Sequence, residues 1–207
     1  MKNHSLKNNY LHLCKNISML KYLLLISLLS PLALFSQSFD MDHAAEKRWH
    51  IRDVADDSKT PRLAKDIYLN KDWELSENNS AKLLSMVERL PDMDPMEKGF
   101  YFIVIAKSFD RAEGAYAESL GYSGKAYVDN NIAEFLTYFC GEGKLPEVYL
   151  QKWAGIVSNE MEKVKVDQDP KIQTKISKIY DAKCKDCRSE QKAVLKKFEE
   201  LMKNYIK

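Results

Sequence analysis

The chain has 207 residues, 30% of them charged and 45% hydrophobic, with a formal net charge of +2. That length holds one domain and not comfortably two, and the charged fraction is that of an ordinary globular protein rather than a disordered one. The positive surplus belongs to the N-terminus. Lys2, Lys7, Lys15 and Lys21 lie within residues 1–36 with no acid among them, and 32 Lys and Arg less these four, against 30 Asp and Glu, is a net of −2. A near-neutral remainder lacks the electrostatic footprint of a nucleic-acid binder, and no run of Lys and Arg is long enough to seek an anionic membrane.

Tyr22 to Phe35 is 14 residues without a charge, preceded by Lys21 and followed by the small residues Ser36 and Ser38. This is the layout of a secretory signal peptide. A spanning helix needs ~20 apolar residues, and Pro31 interrupts this shorter run, so a permanent anchor fits less well. The expectation is export to the periplasm or the cell exterior, with cleavage after Ser36 or Ser38 and no stable membrane span afterwards. Met19 is an alternative start that gives a signal of conventional length. Cys14 precedes the apolar run and is not placed for lipid attachment at a mature N-terminus. The chain then divides into a signal peptide over 1–36, an irregular or short-helix segment over 37–79, and a helical core over 80–207.

Asp42 to Val54 reads as a short helix with Ala45, Trp49 and Arg52 on one side. Further on, Ile67 and Leu69 alternate, as do Trp73 and Leu75, on either side of Asn70-Lys71-Asp72. That pattern fits a small hairpin with a three-residue turn, or a loop with anchoring aromatics. Asn79-Ser80 caps a helix whose Leu83, Leu84, Val87 and Leu90 share a face, and Pro91 ends it.

The organising stretch runs from Asp94 to Gly121. Asp94 is an N-cap, Pro95 suits the first helical position, and Glu97 adds an acid at the positive end of the helix dipole. Gly99 to Ala106 is apolar on every side, so a helix there is buried on every side. A buried strand is the competing reading, and the cap favours helix. Beyond Ala106, Lys107, Asp110 and Glu113 recur every three residues and share a face, while Tyr116, Tyr122 and Tyr127 accompany Gly121 and Gly124. This polar, Tyr- and Gly-rich segment is a candidate binding surface made of Lys107, Asp110, Glu113, Tyr116, Tyr122 and Lys125. The plainer account is a solvated helix end followed by a loop with turn glycines.

Asn130 or Asn131 can cap a helix over Ile132 to Cys140 that Gly141 and Gly143 stop. Pro146 opens another, carrying Val148, Leu150, Trp153, Ile156, Val157 and Met161. From Pro170 a helical pattern continues to the C-terminus. Tyr180, Cys184, Cys187, Gln191, Val194, Phe198, Leu201 and Tyr205 alternate spacings of four and three, a heptad seam suited to self-association. A single helix of that length would be about 55 Å long, against a radius of gyration of about 15 Å for the whole domain. The pattern therefore predicts a bend or break near Cys184–Ser189, or else an end that projects and pairs with something; bending into two helices of one bundle is preferred.

Cys184-Lys185-Asp186-Cys187 is the one motif-like element. In an exported protein it reads as a structural disulfide, a redox pair or half of a metal site. No βαβ pattern precedes it and Arg188 stands where haem attachment needs His. Zinc would need two more ligands, from Cys140, His43 and His50, and none has paired spacing. Residues three apart in a helix hold their Cβ atoms ~5–6 Å apart, wider than a disulfide wants. A Cys184–Cys187 bond thus implies a helix end there, and the alternative is Cys140 bonded to one of the pair. Other signatures fail. Position 119 is Ser and position 126 is Ala, so Gly124-Lys125 is no phosphate loop. His43 and His50 do not form the HExxH of zinc proteases. Asp110, Glu113 and Glu118 suit acid–base work, but carboxylates on a solvated helix face are far commoner.

These readings combine into an all-α domain, a single small bundle of five or six helices. Its core sets Phe100, Ile103, Val104 and Phe109 against Leu136, Trp153, Ile156 and the last seam. The function expected is that of a non-enzymatic binding protein, an inhibitor, immunity-type or assembly partner, with no cofactor. The alternative is a thiol–disulfide or thiol–metal protein using Cys184 and Cys187.

Overall fold

A computed structural model of the protein describes residues 43–163 and 180–205. The export segment, Cys14, both cleavage positions and the Pro170 start of the last element lie outside them.

Eight α-helices span these residues, and no strand occurs among them. They are α1 (His43–Arg48), α2 (Ile51–Asp56), α3 (Arg62–Tyr68), α4 (Glu77–Arg89), α5 (Pro95–Ser108), α6 (Gly114–Thr137), α7 (Glu147–Lys163) and α8 (Ser189–Tyr205). Short 3-10 turns follow α4 (Leu90–Asp92) and α5 (Phe109–Arg111). Residues 180–183 are helical as well. The fold is an all-α bundle, as expected, with more helices than five or six.

The extra helices come from the N-terminal segment. His50 takes φ 46 and splits the expected first helix into α1 and α2. Ala45 and Trp49 are buried as expected, whereas Arg52 is exposed. Where a hairpin was one expectation, α3 forms instead. Ile67 is buried with Ala64 three residues before it, a helical spacing, while Leu69 is 52% exposed. Asn70 (φ 53) then takes the left-handed turn that ends the helix. The next helix starts earlier than Asn79, because the Ser76 side chain accepts from the Asn79 N–H and caps α4.

α5 is the core element. Asp94 Oδ1 accepts from the Met96 N–H at 2.8 Å, Pro95 opens the first turn, and every residue from Lys98 to Ala106 is buried. It packs against α2, α3, α4 and α7. Phe102 sits among the rings of Tyr127, Phe135, Tyr138 and Trp153, with centroids 4.6 to 5.8 Å away. The Trp153 indole N–H donates to the Phe102 carbonyl at 3.2 Å, which satisfies the one polar atom of a fully buried side chain. Lys98, also buried, is paired with Glu134 of α6 at 2.5 Å.

The expected single element from Asp94 to Gly121 is two helices. The chain turns through Phe109–Arg111, and α6 begins at Gly114, which takes φ 51. α6 runs on through Gly121 and Gly124, where a loop was one expectation, and kinks at Asn131 (φ −130, ψ 30), whose side chain donates to the Tyr127 carbonyl. The asparagine pair thus bends one helix rather than starting another. α6 and α7 then pack antiparallel at close range. The Asn159 amide donates to the Ala117 carbonyl, and Gly124 faces Ile156. Gly141 (φ 75) and Gly143 (φ 64) form the turn between them, and Arg48 of α1 donates to the carbonyls of Cys140 and Glu142.

α8 packs on α7 and α6 through Leu195, Phe198 and Met202. Of the expected seam, Tyr180, Cys184, Cys187, Gln191 and Phe198 are buried in this chain's own core, whereas Val194, Leu201 and Tyr205 are half-buried. The break falls at residues 184–188, where expected.

Candidate functional site

The six residues of the candidate surface do not form one surface. The chain turns through Phe109–Arg111 before α6 and Tyr116 is buried, while Lys107 and Asp110 stay near one another beside Lys152.

Lys107, half-buried at the end of α5, donates to the Tyr68 carbonyl at 2.5 Å and to Asn70 Oδ1 at 2.9 Å. It caps the C-terminus of α3, where a cation meets the negative end of the helix dipole. Burial and the neighbouring Lys152 push its ammonium down to about 8, while Asp110 pulls the other way. Asp110 is paired with Lys152 of α7. Arg111, which sequence reasoning passed over, donates to the Trp73 carbonyl and lies 4.8 Å over the Trp73 ring. Together Lys107 and Arg111 fasten the segment between α3 and α4 to the end of α5.

Glu113 occupies the exposed N-cap position of α6 without a side-chain cap. Tyr116 belongs to the core and not to the surface, since its hydroxyl is buried against Ser108 Oγ at 2.7 Å. Burial pushes that hydroxyl up to about 12. Lys125 pairs with Asp129 one turn along α6. Asp129 also accepts from the Tyr180 hydroxyl at 2.8 Å, and its backbone carbonyl accepts from Lys183. That cluster holds helical residues 180–183 against α6.

Tyr122 is different. Its side chain is 67% exposed. It stands in a shallow groove of about 490 Å³ where α4, α6 and α7 meet, lined by Leu84, Glu88, Glu118, Ser123 and Glu160 among others. Spacings of four, Leu84–Glu88 on α4 and Glu118–Tyr122 on α6, bring these residues to one side of each helix. Sequence reasoning found Tyr122 but missed its neighbours, because Glu88 and Glu160 come from helices distant in sequence.

The cysteines resolve two open alternatives. Cys184 and Cys187 are bonded, with Cα atoms 4.9 Å apart, across the turn that ends residues 180–183. Cys140 is not joined to either. It is buried, its thiol contacts the Thr137 carbonyl, and burial pushes that thiol up. The bond closes a loop of four residues, for which chain entropy gives about 2 kcal/mol of stabilisation. Reduction of the wild type and the substitution Cys184→Ser are each expected to lower unfolding stability by that amount, with the variant indifferent to reductant. A denaturation midpoint unmoved by reductant would show that the bond contributes nothing.

His50 Nδ1 lies 2.8 Å from Asp53 Oδ2, and His43 Nδ1 lies 3.5 Å from Glu46 Oε2. Both line a second shallow groove of mixed charge with Lys47 and Arg52. No group of three or more His, Cys, Asp or Glu among the described residues is arranged to hold a metal ion. No described helix is long and apolar enough to cross a membrane. No family model, curated protein or solved structure matches this chain.

Proposed function

We propose that the protein is an exported, non-enzymatic binding protein of the periplasm or cell exterior, which presents the groove around Tyr122 to a protein partner as an inhibitor, immunity-type or assembly factor. One observation carries the reading. An aromatic ring left 67% exposed on a rigid helix, in a concavity between three helices, is the kind of anchor that binding surfaces use. Export is supported by the charge-free run from Tyr22 to Phe35 with Lys21 before it and small residues after it.

A photo-crosslinking residue in place of exposed Ser119, which lines the same groove and leaves Tyr122 intact, is expected in cells of the native host to give a discrete adduct that the same residue at exposed Lys203 does not give. The intact mass of the exported protein is expected to begin after Ser36 or Ser38. An absence of any adduct specific to position 119 would refute the binding role, and a full-length mass would refute cleavage.

The bonded Cys184–Cys187 pair favours a second reading, thiol–disulfide exchange. Against it, the two residues are only 1% and 8% exposed, and exchange needs a thiolate to reach a sulfur. Catalysed reduction of a model disulfide substrate, lost in Cys184→Ser, would replace the first reading with this one.

A further inference from the structure

We propose that the Tyr122 groove receives a basic side chain, an Arg or Lys carried on a peptide segment of the partner, seated over the Tyr122 ring between Glu88 and Glu160. This rests on the binding-protein reading and gives the chemistry of the partner.

Elsewhere in the chain, three aromatic rings sit beneath cations of the same chain. Trp49 has the Arg48 guanidinium 4.5 Å from its ring centroid, Tyr68 has the Lys107 ammonium at 5.4 Å, and Trp73 has the Arg111 guanidinium at 4.8 Å. Two half-buried rings, Tyr68 and Trp73, and one buried ring, Trp49, thus each carry a cation supplied by the chain itself. Tyr122 is more exposed than any of them, and no cation among the described residues lies over it. The electron-rich face of a phenol ring attracts a cation.

The charged groups round that ring point the same way. The described charged residues lining the groove are all acidic, Glu88, Glu118 and Glu160. Glu118 already makes a contact of its own, so the case rests on the other two. Neither Glu88 nor Glu160 takes part in an ion pair among the described residues. The groove by the two histidines offers a contrast, since its acids lie beside Lys47, Arg52 and the imidazoles. An acidic partner or an anionic lipid surface would be repelled at Tyr122. The carboxylates also do not converge as ligands for a bare metal ion.

The walls are pre-set. α4 is held by buried Leu83, Met86 and Val87, and α6 and α7 are locked by the Gly121–Gly124 contact and by Asn159. Little ordering is then needed on binding, which favours recognition of a single anchoring side chain.

The test uses the intact exported protein and an array of short peptides of varied sequence, probed in parallel with Tyr122→Ala. Peptides captured by the wild type and lost by the variant are expected to be enriched several-fold in Arg and Lys. In a peptide so found, citrulline in place of the key Arg is expected to weaken binding about tenfold, and Glu88→Lys is expected to do the same. Both positions are exposed, so the variants keep the wild-type helical spectrum. Tyr122-dependent peptides with no basic preference would overturn this inference while leaving the binding role standing. If no peptide depends on Tyr122, both fall.

Discussion

Raising the pH from 10 to about 11 is expected to unfold this protein. Tyr116, Tyr127, Tyr138, Tyr149 and Tyr180 are all buried, and burial raises the pKa of each hydroxyl above its ordinary value. Neighbours add to it. The Tyr180 hydroxyl donates to Asp129, so its phenolate would face a carboxylate. Tyr138 donates to the Pro95 carbonyl with Glu134 nearby, and the Tyr127 hydroxyl has no hydrogen-bond partner among the described residues. The folded state therefore keeps five protons that the unfolded chain gives up near pH 10. The contribution is complete below that pH and is lost as pH climbs toward the folded values. At pH 11 each tyrosine costs on the order of 1 kcal/mol and the five together several kcal/mol, comparable with the whole stability of a domain of this size. Lys107 acts in the opposite sense between about 8 and its ordinary value, as one half-buried group against five. The measurement is helical ellipticity and tyrosinate absorbance followed together. Helicity is expected to be lost in one cooperative step between about pH 10.5 and 11.5, and ionisation of these five tyrosines with it. Gradual ionisation of these five tyrosines near pH 10 with helicity intact would mean that they are not packed as described.

Those tyrosines show how far the sequence could be read. Its local signals held where the backbone alone enforces them. Asp94-Pro95 starts α5, Gly141 and Gly143 end the α6 region, and the seam breaks at the cysteines. The apolar run over Gly99 to Ala106 is buried throughout because a helix without a polar face has no other place. Readings failed where a local pattern was too short or where residues of another helix decide. Tyr116 looked like surface, but Ser108 eight residues earlier takes its hydroxyl inside. Ile67 and Leu69 looked like a strand on two alternating residues, too short a pattern to outweigh the helical spacing of Ala64 and Ile67. The candidate surface was drawn from one stretch of sequence, and the burial of Tyr116 breaks it. Tyr122 survived as an exposed ring, yet the acids that give its groove a chemical character lie on α4 and α7. No spacing rule reaches across three helices.

Gly124 supplies the second large effect, in a double-mutant cycle with Ile156. A glycine among tyrosines and small residues signals a turn when it is read alone. Here it lies in mid-helix, and a Cβ at this position would stand 2.5 Å from Ile156 Cγ2 and 3.5 Å from Trp153 Cζ3. Ile156 is fully buried, and its Cγ2 sits on the branched carbon, so it cannot swing aside as the tip of a long side chain would. Alanine favours a helix interior by about 1 kcal/mol over glycine, yet Gly124→Ala is expected to destabilise by about 2 kcal/mol, because overpacking of a dense core dominates. Ile156→Ala removes the obstructing methyl group and is expected to cost about 3–4 kcal/mol through the cavity it leaves. Combined, the two are expected to cost less than their sum by about 2 kcal/mol or more, since the new methyl enters the space the isoleucine vacated and the helix propensity of alanine is then realised. Chemical denaturation of the four proteins measures the cycle. Additive costs would mean that α6 and α7 do not meet at this glycine, and a stabilised Gly124→Ala single variant would mean that they pack further apart. The coupling bears on function as well as on stability, because this crossing holds Tyr122 and Glu160 at a fixed separation across the groove, so any variant that spreads it is expected to lose Tyr122-dependent binding before it loses its helices.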